Sequence, residues 1–362
     1  MTGAERFFAA SYAEARAKFL AAAEAAGLEL DAHRHPLVGA EGEELAMDIA
    51  RLGPRDARAL LVVSSACHGA EGFCGSGVQN ALLGDPAFHA EAARAGIAVL
   101  YLHALNPYGF SFLRRTTQEN VDLNRNWQDF SAPLPRNTGY DEIAHFLVPA
   151  TWPPPPQAEE GLAAYAAREG ERALQTAFSA GQYHHPQGLF FGGHAPTWSR
   201  IRLTHVLEEH AARCERLAWI DLHTGLGPNG HGELIWAGRD DAAAIARARA
   251  WWGPQVTSIY DGSSASALLT GLMWSVVDLA CPQAEYTGIA LEYGTEPLSE
   301  VVDALRADQW LYNHPEAPAE LRATIKRRIR NAFYTDTPAW KQRIVEQGLD
   351  AARRALAGLA AG

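Results

Sequence analysis

The sequence predicts an α/β fold, a single domain with a central mixed, mostly parallel sheet flanked by helices, on three observations. Residues 59–66 (ALLVVSSA), 97–104 (IAVLYLHA), 217–222 (LAWIDL), 233–237 and 287–291 (TGIAL) are short apolar runs of the kind that form strands buried on both faces. Helical stretches such as 240–252 and 299–313 fall between and after them, an alternation that implies helices covering a largely parallel sheet. A chain of 362 residues, 48% hydrophobic and 20% charged, has the material for one large packed core.

Ser11-Tyr12-Ala13-Glu14 is a capping box that opens an Ala-rich helix, and Gly27 supplies its stop. Residues 28–35 and 43–52 suggest two short strands ahead of the buried run at 59–66. The run at 97–104 leads into the loop Asn106-Pro107-Tyr108-Gly109. The rhythm then breaks. Residues 131–156 contain Trp152 followed by four prolines and lead into a helical segment ending near Ser179, and residues 181–193 (GQYHHPQGLFFGG) are rich in Gly and aromatics. The expected organisation is one domain over residues 1–362, with an elaboration on the sheet at about 131–200 and a C-terminal helical segment at about 318–360.

The formal net charge is −11, and no run of Lys and Arg is dense enough to track a phosphate backbone. The nearest candidate, 325–330 (IKRRIR), reads as one solvated helix face, so nucleic acid is a poor partner. The four cysteines, Cys67, Cys74, Cys214 and Cys281, form no CxxC pair and are too few for a disulfide scaffold, which suggests free thiols in a reducing compartment. Acidic and basic residues run through the first thirty positions, with no signal peptide or membrane-spanning segment. A cytoplasmic protein without a membrane partner is expected.

The segment 64–77 (SSACHGAEGFCGSG) places His68 and Glu71 three apart in a glycine-rich loop at the end of a buried strand. Zinc takes an imidazole nitrogen and a carboxylate oxygen at about 2.0–2.2 Å, converging from one side, and an i, i+3 pair on a turn can supply them. An isolated His-x-x-Glu is common by chance, so weight rests on what joins it. His223 ends another apolar run, in LAWIDLHTGLG, and Asp221 alternates with it along the strand. Asp221 either fixes the imidazole tautomer or binds a loop amide. Glu292 ends a third run, IALEY, where a buried carboxylate is costly without a partner or a task. Sites in open parallel sheets form outside the carboxyl ends of strands, and three strands delivering His or Glu there is far less common than one. Three ligands leave zinc a position for water, and Glu292 is then the general base.

With these residues in place the chain resembles the zinc carboxypeptidase superfamily. The resemblance is carried by His68-Gly69-Ala70-Glu71, Val121-Asp122-Leu123-Asn124-Arg125-Asn126-Trp127, Asp221-Leu222-His223 and Leu291-Glu292, in the family's order, and spans roughly residues 60 to 300. It implies one Zn2+ ion on His68, Glu71 and His223. It further implies that Asn124 and Arg125 grip a substrate carboxylate and that Arg115, or its neighbour Arg114, polarises the scissile carbonyl. Ser258-Ile259-Tyr260-Asp261-Gly262-Ser263-Ser264 resembles the family's mobile loop, whose tyrosine closes over substrate, which would give Tyr260 that role. DLHTG and VDLNR are shared with the aspartoacylase and succinylglutamate desuccinylase branch. GQYHHPQGLFFGG is more similar to a little-characterised branch, and its Tyr183, His184 and His185 either line the pocket or pack on one another.

The expected activity is zinc-dependent hydrolysis of an amide bond next to a free carboxylate, in a small peptide or an N-acyl amino acid. The alternatives are an amino-acid deacylase of the aspartoacylase kind and a catalytically silent binding protein of the same fold. The sequence has no GxSxG elbow for a serine hydrolase.

Overall fold

The computed structural model describes residues 3–361. Among these, seven strands form one sheet: β1 (Glu29–Val38), β2 (Glu44–Leu52), β3 (Ala59–Ser65), β4 (Ile97–His103), β5 (Arg216–Asn229), β6 (Gly232–Trp236) and β7 (Glu285–Gly294). Their order across the sheet is β1-β2-β4-β3-β5-β7-β6. The central four, β4-β3-β5-β7, run parallel, whereas β1, β2 and β6 pair antiparallel at the two margins. The sheet is therefore mixed with a parallel heart, and the apolar runs seen in the sequence are the strands of that heart and the margin next to it.

Side chains alternate between the faces. On one face Leu61, Val63, Val99, Tyr101, Ile220 and Ile289 join a core with the helices Tyr12–Ala25, Gly72–Leu83, Ala242–Trp252 and Pro338–Ala361. On the other, Leu60, Val62, Leu100, Leu217 and Trp219 pack with Leu203, Val206 and Leu207 of the helix Trp198–His210. The first helix opens as its sequence dictates: the Ser11 hydroxyl accepts from the Glu14 amide at 3.2 Å, while the Glu14 carboxylate accepts from the Ala10 amide at 2.7 Å.

The helix Gly72–Leu83 is not marked by its sequence, whose glycines argue against a helix. It is buried along its whole length, and a Cβ at Gly75 would lie 2.6 Å from the Ser65 Cβ. Close packing on β3 outweighs the low intrinsic propensity. The elaboration contains three helices, Thr138–Leu147, Pro156–Glu169 and Glu171–Ser179, where the sequence suggested one helical segment. Tyr140, Ile143, Phe178 and Phe190 from this region share a core with Val301, Leu305 and Phe333 of the helices Leu298–Asn313 and Ala319–Phe333. All four cysteines are unpaired and buried. No helix among the described residues is long and apolar enough to cross a membrane.

Candidate metal centre and its cavity

The carboxyl ends of β3 and β7 lie beside the middle of β5, with Ser65 paired to Leu222 and His223 paired to Glu292. Beyond β3 the chain turns through His68 into a short 3-10 turn, Gly69–Glu71. That turn is fixed by backbone contacts: the Gly69 and Ala70 amides donate to the Arg115 and Arg114 carbonyls at 3.2 and 2.8 Å. The approach is close enough that a Cβ at Gly69 would fall 1.9 Å from the Gly109 carbonyl carbon. Glycine is required there by space.

His68, Glu71 and His223 are buried, and one ligand atom from each lies within 4.8 Å of the others. Glu71 spans the pair, with Oε1 at 2.8 Å from His68 Nδ1 and Oε2 at 3.1 Å from His223 Nδ1. The opposite nitrogens are each backed by a carboxylate: His68 Nε2 lies 3.1 Å from Asp122 Oδ1, and His223 Nε2 lies 2.5 Å from Asp221 Oδ2. With an ion on each Nδ1, the carboxylate behind each Nε2 would keep the remaining ring proton there, the tautomer a metal ligand needs. Asp221 is held in turn by the Ser64 hydroxyl at 2.6 Å. Of the two roles open to Asp221 in the sequence, the structure puts it on the imidazole. The donor set of two imidazoles and a carboxylate, gathered this closely, fits a zinc-type ion.

The electrostatics follow from proximity. Burial opposes ionisation of Glu71, but His68 and His223 beside it hold its carboxyl well below the usual range. Asp122 is likewise buried, yet Arg115 and His68 keep it far below an ordinary carboxylate. Burial works against the His223 imidazolium, and Asp221 and Glu71 together carry it well above the ordinary histidine value. Glu292 differs. Burial and the Glu71 carboxylate push it up to about 8, against the pull of His223, the Leu226 amide and Arg115. That amide donates to Glu292 Oε1 at 3.0 Å.

Arg115 enters the cluster, and Arg114 does not. Arg115 donates from Nε to Asp122 Oδ2 at 2.9 Å and from Nη1 to Glu71 Oε1 at 3.2 Å, and its Nη2 lies 2.8 Å from His68 Nε2. His68 Nε2 cannot both accept from Arg115 and donate to Asp122. An ion on Nδ1 would leave the Nε2 proton toward Asp122, and the ring would then offer the guanidinium no acceptor. Arg114 points away, with Nε 3.1 Å from Asp308 Oδ2 and its guanidinium stacked 4.0 Å over the Tyr312 ring.

Asn124 and Arg125 sit on a 3-10 turn, Leu123–Arg125, beside the cluster. The Asn124 Oδ1 accepts from the Met273 amide at 2.8 Å. Arg125 spends Nε and Nη2 on the Ser179 carbonyl, at 3.2 and 2.7 Å, and Nη1 on the Asn124 carbonyl at 2.8 Å. Two of its five N–H donors remain for a ligand.

One cavity is lined by His68, Glu71, Arg115, Asn124, Arg125, His223 and Glu292 together. Tyr260 is not among its lining residues, in contrast to the role expected of it. Its hydroxyl donates to the Gly238 carbonyl at 2.9 Å beside a separate surface pocket that also contains Asp240 and Arg249, and the neighbouring Ile259 reaches the cavity instead. Tyr183, His184 and His185 do not line it either. Tyr183 donates to the Arg125 carbonyl at 2.7 Å, His184 is exposed and His185 lies 2.9 Å from Asp141. Asp122 and the cavity walls at Phe178, Phe190 and residues 298–305 were not singled out from the sequence. Asp122 sits inside the VDLNRNW motif, but the wall residues are ordinary apolar positions with no local signature.

The solved structures that resemble the chain include carboxypeptidase A from Helicoverpa armigera, at TM-score 0.52 and 13% identity, covering 97% of this chain and 74% of that one. That likeness shows the fold. Thrombin activatable fibrinolysis inhibitor (TAFI) matches at TM-score 0.48 and 13% identity over 85% of this chain and 76% of its own. A protein assigned to the succinylglutamate desuccinylase / aspartoacylase family from Shewanella amazonensis SB2B matches at TM-score 0.31 and 18% identity over 78% and 71%. No curated protein matches the chain by sequence. A family model described as "Protein of unknown function (DUF2817)" matches residues 8–347, and the chain belongs to that family.

Proposed function

We propose that the protein is a zinc-dependent hydrolase that cleaves an amide bond adjacent to a free carboxylate. The observation that carries this is the gathering of ligand atoms of His68, Glu71 and His223 within 4.8 Å of one another, inside a cavity also lined by Glu292, Arg115, Asn124 and Arg125. The fold likeness to a carboxypeptidase A agrees with it.

His68, Glu71 and His223 would hold the ion, and the chemistry an ion would supply there is Lewis acidity toward water and a carbonyl oxygen. Asn124 and the two spare donors of Arg125 bind the substrate carboxylate, for which a guanidinium fork is well shaped. Arg115, freed from the His68 ring, offers N–H donors to the oxygen that gains charge as the carbonyl carbon becomes tetrahedral. Glu292 takes a proton from the attacking water as the new C–O bond forms. It returns that proton to the nitrogen as the C–N bond breaks, releasing an amine and a carboxylic acid.

The test is a panel of N-acyl amino acids and short peptides assayed with zinc-loaded protein, each beside its C-terminally amidated analogue. Turnover is expected only where the carboxylate is free, and it should vanish with chelator and return with zinc. Equal cleavage of the amidated analogues would remove the assigned role of Asn124 and Arg125, and turnover indifferent to chelator would remove the metal.

A further inference from the structure

On the cavity side of the sheet, paired residues of β5 and β7 stand in rows. His223 and Glu292 form one row, Asp221 and Ala290 the next, Trp219 and Gly288 a third, and Ile235 of β6 stands beside Ala290. Successive rows are about 6.6 Å apart. The Glu292 row belongs to the metal centre, but the next two positions on this face of β7 carry only a methyl group and then no side chain. A hollow therefore runs along β7, with Trp219 on one side and Ile235 on the other, and the half-buried Ala290 lines the cavity at its floor.

The hollow has a closed end. Tyr286, one row further down, folds along the strand over Gly288, and a Cβ at Gly288 would collide with its hydroxyl. The Tyr286 ring packs on the core that contains Trp219 and Met273. Its hydroxyl makes no hydrogen bond among the described residues, and Tyr286 is one of the residues lining the cavity. The remaining wall comes from Leu272 and Trp274. Their segment is bonded to the turn that carries Asn124 and Arg125: the Met273 amide donates to Asn124 Oδ1 at 2.8 Å, and the Trp127 amide donates to the Gly271 carbonyl at 3.2 Å. The start of the same loop is anchored from the elaboration, where Arg172 Nη2 donates to the Ser266 carbonyl at 2.7 Å and Gln175 Nε2 to the Ala265 carbonyl at 2.9 Å.

In the hydrolase reading, one carbon of the substrate bears both the carboxylate held by Asn124 and Arg125 and the amide nitrogen that receives a proton from Glu292. A side chain on that carbon starts between the Asn124 turn and the Glu292 row, which is where the hollow starts. A closed end suits a terminal group and excludes a continuing chain. The cavity's arginines, Arg115 and Arg125, belong to the metal cluster and the carboxylate site, and the Asp221 oxygens are already engaged by the Ser64 hydroxyl and His223. An acidic side chain would meet Asp221 without a cation of its own, and a basic one would lose water for a carboxylate that is already paired. A large apolar side chain gains by burial against Trp219 and Ile235, but a tip that cannot hydrogen-bond cuts the Tyr286 hydroxyl off from water and leaves it unpaired.

We propose that this hollow receives the side chain of the carboxylate-bearing residue, and that Ala290 and Tyr286 select a large, uncharged side chain with a hydrogen-bonding tip, as in tyrosine. This rests on the hydrolase reading above and specifies the half of the substrate that carries the carboxylate.

The experiment varies that residue alone, in N-acetyl and N-acetylglycyl derivatives of tyrosine, phenylalanine, alanine and aspartate. Each is assayed for kcat/KM with zinc-loaded protein, and its binding is measured by calorimetry on zinc-loaded Glu292→Gln. Tyrosine is expected to exceed alanine by about tenfold or more, with aspartate last. It should exceed phenylalanine by about threefold. Tyr286→Phe should bring the tyrosine-to-phenylalanine ratio down to about one. Ala290→Leu, which fills the hollow, should cut the tyrosine-to-alanine ratio about tenfold. Alanine or aspartate handled as well as tyrosine overturns the proposal, and so do ratios unmoved in both variants with native melting curves. Binding in the expected order without any turnover would sustain the hollow as a side-chain site while removing the hydrolase assignment, and absence of both binding and turnover removes the two together.

Discussion

His223 and Glu292 are direct register partners across the parallel pairing of β5 and β7. Two side chains opposite one another on neighbouring strands project from the same face of the sheet. The imidazole proposed as a metal ligand and a carboxyl pushed up to about 8 are thereby held next to each other by backbone hydrogen bonds. Glu292→Gln keeps the shape and the Leu226 contact but cannot carry a proton. Turnover should fall by about 10²–10⁴-fold with zinc stoichiometry unchanged, measured by kinetics and metal analysis on the same samples.

Asp122 and Asp221 stand behind the imidazoles of His68 and His223, the proposed metal ligands, and are placed to orient them. Asp122→Asn and Asp221→Asn should each weaken zinc binding by about 10–100-fold, read by competition with a chelating dye. His223→Ala should lose zinc altogether. If both Asn variants bind zinc as tightly as the parent protein, the carboxylates are not orienting the ligands.

The turn carrying His68 and Glu71 tolerates no side chain at Gly69. Gly69→Ala must push the turn away from Gly109, costing about 1–3 kcal/mol as overpacking and displacing both ligands. Urea denaturation and zinc titration should move together in this variant, because one displacement causes both.

Asp308 is buried between Arg114, 3.1 Å away, and Lys326, at 2.7 Å. Burial raises its carboxyl, but Lys326 and Arg114 outweigh burial and hold it below the ordinary value. A depressed folded-state value means the stabilisation is fully present above the unfolded carboxylate range and is lost as pH falls toward the folded value. Asp308→Asn should cost about 3–5 kcal/mol at neutral pH by leaving Arg114 without its counter-charge. The gap between variant and parent should narrow as denaturation is repeated from pH 7 down to pH 3; a constant gap would contradict the ion pair.

The heart of the sheet was legible because its strands are continuous apolar runs, and the residues that cluster at their ends were legible because a lone His or Glu there is conspicuous. His68, Glu71, His223 and Glu292 all stand out in that way. Arg114 and Arg115 could not be told apart, since adjacent residues of one chemistry are separated only by Asp308, 194 positions away from Arg114. Tyr260 sits outside the cavity in this structure, because a loop motif says nothing about which carbonyl its hydroxyl will find. The helix Gly72–Leu83 hid behind its glycines, whose small size serves packing. The apolar cavity wall was invisible for a different reason: Phe178, Val302 and Leu305 look like any core residues until the fold leaves space in front of them.

Arg172 and Gln175 meet the 264–270 loop through its main-chain carbonyls alone. Every amino acid carries that acceptor, so the tie is blind to the identity of the residues it holds. Side chains at positions such as Ala267 and Leu269, which face the cavity, can be exchanged without loosening the attachment. The arrangement separates what encloses the ligand from what discriminates among ligands, and it leaves selectivity open to change one residue at a time.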